Sequence, residues 1–181
     1  MPFFLKHIGF LLSVLSFSSL LAQNHSVEDQ ILSQLNYGYV NSVGESSIAS
    51  VSQHGFENET HLMQLSNRQL AIIQQVGAEN LIKAIQSGNS QIIEIYQNGD
   101  LNAVESLLQG NNLSSVINQY GDNNSLQQVV IGNNKSFEIS QVGNDNELVH
   151  IDAGSTLKAY TITQVGTGMK MTVKMGNVNT D

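Results

Sequence analysis

The 181-residue sequence contains no cysteine and no tryptophan, and its single proline is Pro2. Without cysteine the chain forms no disulfides, so the fold must be held together in another way. Without a later proline, every backbone N–H group beyond position 2 remains available, and strands are not excluded anywhere on that ground. Charge is also scarce, since Asp, Glu, Lys and Arg make up 12% of the residues and the net charge is −8. This acidic balance disfavours nucleic acid and anionic lipid as partners.

The N-terminal segment has the composition of a secretory signal. Lys6 precedes an apolar run from Ile8 to Leu21, and Ala22 provides a small residue before the expected cleavage point. The run is short for a membrane span, so an uncleaved membrane anchor is the less favoured alternative. The prediction is a signal peptide over residues 1–22, followed by a leader segment over residues 23–46.

The rest of the sequence is dominated by a repeat with a period of about 22 residues. A Gln-x-Gly pattern occurs six times at a constant interval, apart from one additional residue before the last copy, and an Asn follows each of the first five glycines at a fixed distance. The glutamines are Gln53, Gln75, Gln97, Gln119, Gln141 and Gln164; the glycines are Gly55, Gly77, Gly99, Gly121, Gly143 and Gly166; the asparagines are Asn58, Asn80, Asn102, Asn124 and Asn146. Self-similarity in this register indicates a repeat architecture.

Each repeat contains two short runs of alternating residues, separated by Gly and by Asn or Asp, which is typical of strand–turn–strand–turn. One such unit cannot bury its inward side chains alone, so copies must stack about 4.8 Å apart, with each strand paired to its counterpart in the next copy. The sequence therefore predicts an all-β fold, a β-solenoid of about six stacked repeats. The repeats span 47–68, 69–90, 91–112, 113–134, 135–157 and 158–176, and residues 177–181 form a tail.

Stacking also explains why amides occupy inward positions. A buried amide without a partner costs about 1–3 kcal/mol. A Gln or Asn repeated in every layer can instead donate to one neighbour and accept from the other, as in the amide ladders of cross-β structures. Only the outermost layers keep unpaired groups, so the two ends are predicted to be the sites of self-assembly.

The pattern Ser-x5-Gln-x-Gly-x2-Asn-x5-Gln, complete at Ser47, Gln53, Gly55, Asn58 and Gln64, resembles the curlin repeat of bacterial curli fibres. The resemblance covers roughly Ser47 to Met175. It implies a functional amyloid subunit that assembles with itself and with other curlin subunits. It also implies export through the curli outer-membrane secretion channel with its accessory factors, into extracellular fibres of biofilm and surface adhesion. By position, the leader would carry the export signal; as a disordered terminus, a short helix or a strand it would also fit the sequence.

Later copies depart from the pattern at its first and last positions. The opening Ser is replaced by Gln69, Gln91, Leu113, Lys135 and Lys158, and the closing Gln is kept as Gln64 and Gln86 and then replaced by Leu108, Val130, Asp152 and Met175. One glutamine ladder is therefore predicted through all six copies and a second through two. The N-terminal copies are accordingly predicted to be the better templates.

The last copy is shifted by one residue, has Met169 instead of the Asn, and carries Lys158, Lys170 and Lys174. The minor, nucleating subunit of the curlin family similarly has a divergent, basic last repeat that is linked to surface attachment. The resemblance favours a nucleating subunit, with the three lysines as candidate attachment residues. A major fibre-forming subunit is the alternative, and terminal repeats of solenoids are often atypical because they cap the stack.

No group of residues predicts an active site. His25, His54, His61 and His150 lack metal-ligand spacing with a third partner, so solvated histidines are favoured over a zinc site. Acidic residues recur near the turns, but a calcium-binding β-roll needs a nonapeptide repeat. Charges at turns are better explained as limiting lateral association. The prediction is a protein without enzymatic activity, cofactor or small-molecule substrate.

Two rival functions have specific requirements. A monomeric solenoid adhesin or ice-binding protein needs an outward Thr ladder, whereas only Thr161 and Thr163 alternate here, and a β-helix enzyme needs a carboxylate or His cluster on one face. Outward apolar residues are predicted to form a lateral patch or to reflect ordinary β-propensity. They are Ile72, Ile85, Ile92, Tyr96, Leu107, Val116 and Val129.

Overall fold

A computed structural model of the chain describes residues 38–42 and 47–176. The predicted signal peptide (residues 1–22), most of the leader, His25 and the tail (177–181) lie outside the described residues. The described residues form strands and no helix: β1 Gly38–Ser42, β2 Ile48–Phe56, β3 Glu59–Gln64, β4 Gln69–Ala78, β5 Leu81–Ser87, β6 Gln91–Asn98, β7 Ala103–Gln109, β8 Leu113–Tyr120, β9 Ser125–Ile131, β10 Lys135–Val142, β11 Glu147–Ala153, β12 Ala159–Val165 and β13 Lys170–Gly176. A helix long and apolar enough to cross a membrane does not occur in this part of the chain.

The strands alternate between two parallel sheets. The odd-numbered strands form a seven-stranded sheet in the order β1-β3-β5-β7-β9-β11-β13, and the even-numbered strands form a six-stranded sheet from β2 to β12. Each strand pairs with the strand one coil later, so Gln53 is the Cα partner of Gln75 and, in the final coil, Gln141 that of Gln164. The predicted β-solenoid of about six coils is confirmed. An even-numbered strand and the odd-numbered strand that follows it are called a rung below.

Glycine is required at the first turn of the rung because the turns of successive rungs are in backbone contact. Gly99 has a φ of 131°, and a methyl group on its Cα would collide with the carbonyl oxygen of Gly121 in the next rung. Two residues later Leu101 has a φ of 59°, as Glu57 and Glu79 do at 53° and 56°. The sequence predicts Gly, Asn or Asp at such positions. Leu and Glu also occupy them here, although the left-handed conformation costs an ordinary residue about 1–2 kcal/mol.

The apolar core lies between the inward faces of the two sheets. Its longest column follows the middle of the six-stranded sheet and consists of Val51, Ile73, Ile95, Ile117, Ile139 and Ile162. Burying a side chain of this size contributes about 1.5–3 kcal/mol. At the two ends the core is only partly covered, by Ala49 and Val51 at one end and by Tyr160, Met171 and Val173 at the other.

One strand precedes the first repeat. β1 lies within the predicted leader and pairs with β3, from Gly38 opposite Thr60 to Ser42 opposite Gln64. Of the alternatives that the sequence leaves open for the leader, a strand is therefore the correct one for this segment. As a result, the two sheets contain unequal numbers of strands.

One of the apolar residues predicted to face outward is buried. Ile85 is 5% exposed, so the prediction of a surface position for it is wrong. Its Cα partners are Met63 and Leu107, and apolar side chains stacked in register cover part of each other's surface. Of the others, Ile72 and Ile92 are exposed, and Tyr96, Leu107, Val116 and Val129 are half-buried.

Candidate assembly site: amide columns and solenoid ends

The six recurring glutamines form one hydrogen-bonded column inside the six-stranded sheet. Gln53 is half-buried at the first rung, and the other five are completely buried. Each Nε2 donates to the Oε1 of the glutamine one rung later, over 2.7 Å from Gln53 to Gln75 and 2.8 Å from Gln141 to Gln164. The three links between them measure 2.9, 2.8 and 2.8 Å. The stack satisfies amides that would be destabilising singly.

The direction of this column is determined by the backbone. The Nε2 group of Gln75 also donates to the carbonyl oxygen of Glu59 at 3.2 Å, and Gln141 donates in the same way to Ser125 at 3.1 Å. A carbonyl oxygen accepts only from a donor, so these contacts identify the nitrogen side of each amide. The donors of the glutamine column therefore all point toward the C-terminal rung.

The five asparagines form a second column, with the opposite direction. Asn80 Nδ2 donates to Asn58 Oδ1 at 2.9 Å, one rung earlier, and this link repeats up to Asn146, whose Nδ2 donates to Asn124 Oδ1 at 2.9 Å. The second Nδ2 hydrogen goes to a glycine carbonyl one rung later, as from Asn80 to Gly99 at 2.7 Å. Each asparagine from Asn80 to Asn146 thus connects three rungs, and it fixes the close approach of the turns described above.

The shorter glutamine ladder has the extent that the sequence predicts. Gln64 Nε2 donates to Gln86 Oε1 at 3.0 Å, and Leu108 occupies the next position in the column. Gln64 Oε1 is buried and has no hydrogen-bond partner in the described part of the chain. A buried acceptor without a donor is costly. This unsatisfied group lies in the first rung. A second one, Gln91 Oε1, lies in the third rung, so the prediction that only the outermost layers keep unpaired groups is wrong.

The last rungs contain a buried polar network that the sequence does not predict. Lys135, 4% exposed, directs Nζ to both carboxylate oxygens of Asp152, at 3.0 and 3.1 Å. The same nitrogen donates to the carbonyl and hydroxyl oxygens of Ser155 and to the carbonyl oxygen of Leu157. Asp152 also accepts from the backbone N–H and the hydroxyl of Ser155, and from the Tyr160 hydroxyl at 3.1 Å. A buried ion pair is tolerated when its remaining hydrogen-bonding groups are satisfied in this way.

His150 extends the network, and the prediction that it is solvated is wrong. It is completely buried, with Nε2 2.6 Å from the Tyr160 hydroxyl and Nδ1 3.3 Å from Gln128 Nε2. Since the hydroxyl donates to Asp152, the histidine Nε2–H donates to the hydroxyl, and Nδ1 accepts from Gln128. This arrangement suits a neutral ring, and burial lowers the pKa of His150 to about 4, against a smaller opposing effect of the Asp152 charge.

The network also shifts the two acids that it contains. Burial acts to raise the pKa of Asp152, but the hydrogen bonds from Ser155 and Lys135, with the lysine charge, together hold it below its usual value. Burial and the neighbouring carboxylate raise the pKa of Tyr160. The two residues therefore remain a carboxylate and a neutral phenol over the ordinary pH range. Departures from the repeat have produced a region whose side chains fit in one register only.

Unpaired strand edges lie at the two ends of the solenoid. In the described part of the chain, β2 pairs only with β4, β12 only with β10 and β13 only with β11. At the first rung, Gln53 Oε1 has no donor among the described residues. At the last rung, Gln164 Nε2 donates to the carbonyl oxygens of Met169 and Glu147, at 2.9 and 3.2 Å, in place of a further glutamine. The column thus ends in a free acceptor, Gln53 Oε1, at the first rung, and at the last rung in Gln164 Nε2, whose two hydrogens both go to backbone carbonyls.

Charge is also distributed unequally between the ends. Lys158, Lys170 and Lys174 are all exposed at the C-terminal end. Lys170 donates to Glu147 Oε2 at 2.9 Å, and this hydrogen bond and charge raise the pKa of Lys170. At the N-terminal end Glu57 and Glu59 are exposed. The two ends therefore carry opposite charges.

A group of three or more His, Cys, Asp or Glu residues able to hold a metal ion is not found in the described ranges. None of the protein-family models, curated proteins or solved structures compared with this chain matches it. The fold and the site thus define a class, an all-β solenoid with continuous amide columns and open ends. Its function is inferred from this geometry and from the repeat pattern.

Proposed function

We propose that the chain is a structural subunit of an extracellular, curli-type amyloid fibre that nucleates or templates polymerisation. The observation that carries the proposal is the glutamine column, which runs through every rung and leaves the Gln53 Oε1 acceptor free at the first rung. A further copy added in register would supply the donor that Gln53 Oε1 lacks and would pair the strand edges that are unpaired at the two ends. It also covers the half-buried apolar residues at the ends of the core.

Such an addition does not close on itself. The two ends differ, so the contact is head-to-tail, and a head-to-tail contact without rotational closure produces a filament. Parallel strand edges left unpaired are a known route to this type of growth. The fibre would therefore consist of solenoids in series, with the strands perpendicular to the fibre axis.

The partners follow from the curlin resemblance. They are other copies of this chain, other curlin subunits, and the curli secretion channel with its accessory factors; the fibre would be attached to the bacterial surface. A nucleating role is preferred to that of the major subunit because the basic last rung and its polar network set that end apart from the uniform first rungs. An adhesin or ice-binding function gains no support, since the exposed threonines of the described strands, Thr161, Thr163 and Thr172, all lie in the last rung.

Fibre formation by the purified chain tests the proposal. We expect thioflavin-positive fibres with a meridional X-ray reflection at about 4.8 Å, the separation of neighbouring strands. A product that stays monomeric, with no cross-β reflection over a range of concentrations, would contradict it. Two experiments separate the two subunit roles. In a seeding assay, a nucleator added in substoichiometric amount shortens the lag before an unfolded homologous subunit forms fibres. In a strain without the gene, that subunit is secreted unpolymerised.

A further inference from the structure

The unequal strand numbers of the two sheets raise a problem for end-to-end stacking. The chain alternates strictly between sheets, beginning with β1 and ending with β13, both in the seven-stranded sheet. If β13 of one copy paired with β1 of a second copy, two successive strands would lie in the same sheet. One strand position in the six-stranded sheet, between β12 and β2 of the second copy, would then be empty.

The gap disappears if β1 of the second copy is absent from its sheet. β12 then pairs with β2, β13 pairs with β3, and the alternation continues across the junction. The in-register rule of every other coil aligns Gln164 with Gln53 and Val173 with Leu62 of the second copy. Gln164 Nε2 then faces the free Oε1 of Gln53 and would donate to it in place of the Met169 carbonyl oxygen. The glutamine column continues without a break.

We propose that β1 occupies, within one copy, the place on β3 that β13 of a second copy takes during assembly, so that β1 blocks the N-terminal docking surface until it leaves. This inference rests on the proposed self-assembly and adds a regulated step to it. The docking surface consists of the free edge of β2 and the edge of β3 that β1 covers, and its occupant is the C-terminal rung of another copy of this chain.

The C-terminal rung fits this surface better than β1 does. Opposite Thr60 and Gln64, β1 places Gly38 and Ser42, whereas β13 would place Met171 and Met175. Both methionines are half-exposed at present, so docking would bury apolar surface that β1 lacks at these register positions. In addition, β1 covers the edge of one sheet only, and β12 would cover the other.

Charge supports the same register. Glu147 and Lys170 are Cα partners on β11 and β13. Glu59 of β3 occupies the same register position in the first rung of the seven-stranded sheet. In the docked arrangement Lys170 lies between Glu147 of its own copy and Glu59 of the second. Opposite charges at the two ends also favour the head-to-tail encounter over contacts between like ends.

A reversible lock on β1 tests the inference. The full chain with Tyr39→Cys and His61→Cys places two cysteines at Cα partners of β1 and β3, in a protein that has no other cysteine. Neighbouring strands are about 4.8 Å apart, within the range that a disulfide spans. We expect seeded elongation to fall about tenfold or more in the oxidised form, because the docking-competent fraction becomes very small. Reduction should restore the wild-type rate.

A matched control locks the middle of the solenoid. Lys83→Cys with Glu105→Cys joins Cα partners of β5 and β7, and its elongation rate should be the same oxidised and reduced. Wild-type elongation by the oxidised β1 lock would overturn the inference and leave the proposed function intact. Failure of the wild-type chain to form cross-β fibres would instead overturn the proposed function.

A charge reversal tests the docking register without any disulfide. Glu59→Lys would face Lys170 of the incoming copy, and Glu138→Lys makes the same change in net charge at an exposed position between Val116 and Thr161. We expect Glu59→Lys to slow elongation about fivefold at low salt, the size of one exposed ion pair. The difference should vanish in about 1 M salt, where charges are screened within about 3 Å. Equal slowing by both variants would overturn the register.

Discussion

The glutamine column makes a prediction that depends on position within the stack. Replacement of Gln97 by Leu, in the middle of the column, removes the acceptor to which Gln75 Nε2 donates and the donor from which Gln119 Oε1 accepts. Replacement of Gln53, at the first rung, removes the donor to Gln75 Oε1 and a longer contact, 3.3 Å, to the Thr60 hydroxyl. Gln75 Oε1 still accepts from that hydroxyl at 2.9 Å. The same chemical change therefore leaves different numbers of groups unsatisfied.

The expected magnitudes follow from this difference. Each unsatisfied buried group costs about 1–3 kcal/mol, so Gln97→Leu loses about 2–6 kcal/mol before the favourable burial of the leucine side chain offsets part of it. A net loss of about 2–4 kcal/mol in the free energy of unfolding is expected for Gln97→Leu. For Gln53→Leu we expect at most about 1 kcal/mol. The exposed neighbour Gln74 provides a matched control, and Gln74→Leu should change stability by less than about 0.5 kcal/mol.

Urea unfolding of the dilute monomer, followed by far-UV circular dichroism, measures these differences. With a denaturant slope of about 2 kcal/mol per molar, Gln97→Leu should lower the midpoint by about 1–2 M. Equal midpoints for Gln97→Leu and Gln53→Leu would refute the reasoning, because they would show that the links of the column do not stabilise the fold. A changed slope would instead indicate loss of cooperative unfolding, and hydrogen exchange of the individual rungs would then replace the midpoint as the measure.

Three further predictions concern the turns and the buried network. The pKa of His150 is lowered to about 4 from 6.5, so between these pH values the unfolded chain binds the proton more readily than the folded chain does. The free energy of unfolding should therefore fall by up to about 3 kcal/mol as the pH drops through that window. In a plot of urea midpoint against pH, His150→Gln should flatten this part of the curve. Gly99→Ala should destabilise strongly, since its methyl group meets a carbonyl oxygen, whereas Gly154→Ala, also at positive φ but with open space around it, should cost only about 1–2 kcal/mol in thermal unfolding. Asp152→Leu should lower the free energy of unfolding by about 3–5 kcal/mol, because it leaves a buried lysine unpaired. In a double-mutant cycle, adding Lys135→Met should recover most of that loss. A double variant as unstable as the single one would contradict this.

The fold was predictable because its signal is repeated. The constant period of the repeat fixes which strands pair, and the Gln and Asn positions fix the register, because a slip of one residue would turn every buried amide outward. Six copies allow one atypical copy to be recognised as such. The amide columns could be placed from the sequence for the same reason, whereas their opposite directions depend on backbone contacts that no spacing reveals.

The buried network was not predictable in the same way, because each of its members occurs once. Lys135 and Asp152 are visible in the sequence as departures from the opening and closing positions of one copy. Compared only with the same position in the other copies, Lys135 is the loss of the opening Ser and Asp152 is the loss of the closing Gln. Their contact crosses the core between strands of different sheets, and opposite charges replacing two inward positions in the same copy are the signal that could have indicated it. The structure of the β1 segment could not be predicted either, because a short strand with no repeat motif does not differ in sequence from any other short extended segment.

In the proposed fibre, the glutamine column and the buried polar network would give the two ends of the molecule different selectivity. A column of identical glutamines would accept any rung that brings another glutamine in register, so the first rungs could be extended by any chain with the same repeat. The network around Asp152 requires a lysine, a histidine and a tyrosine at single defined positions, and stacking a copy of itself directly upon it would bring like charges together. Under the proposed self-assembly, the N-terminal rungs would be suited to repeated extension, whereas the network would fix the register of the C-terminal rung that presents Gln164 and Lys170. This asymmetry would direct growth by addition of that rung to a free first rung, and the proposed fibre would have a single polarity.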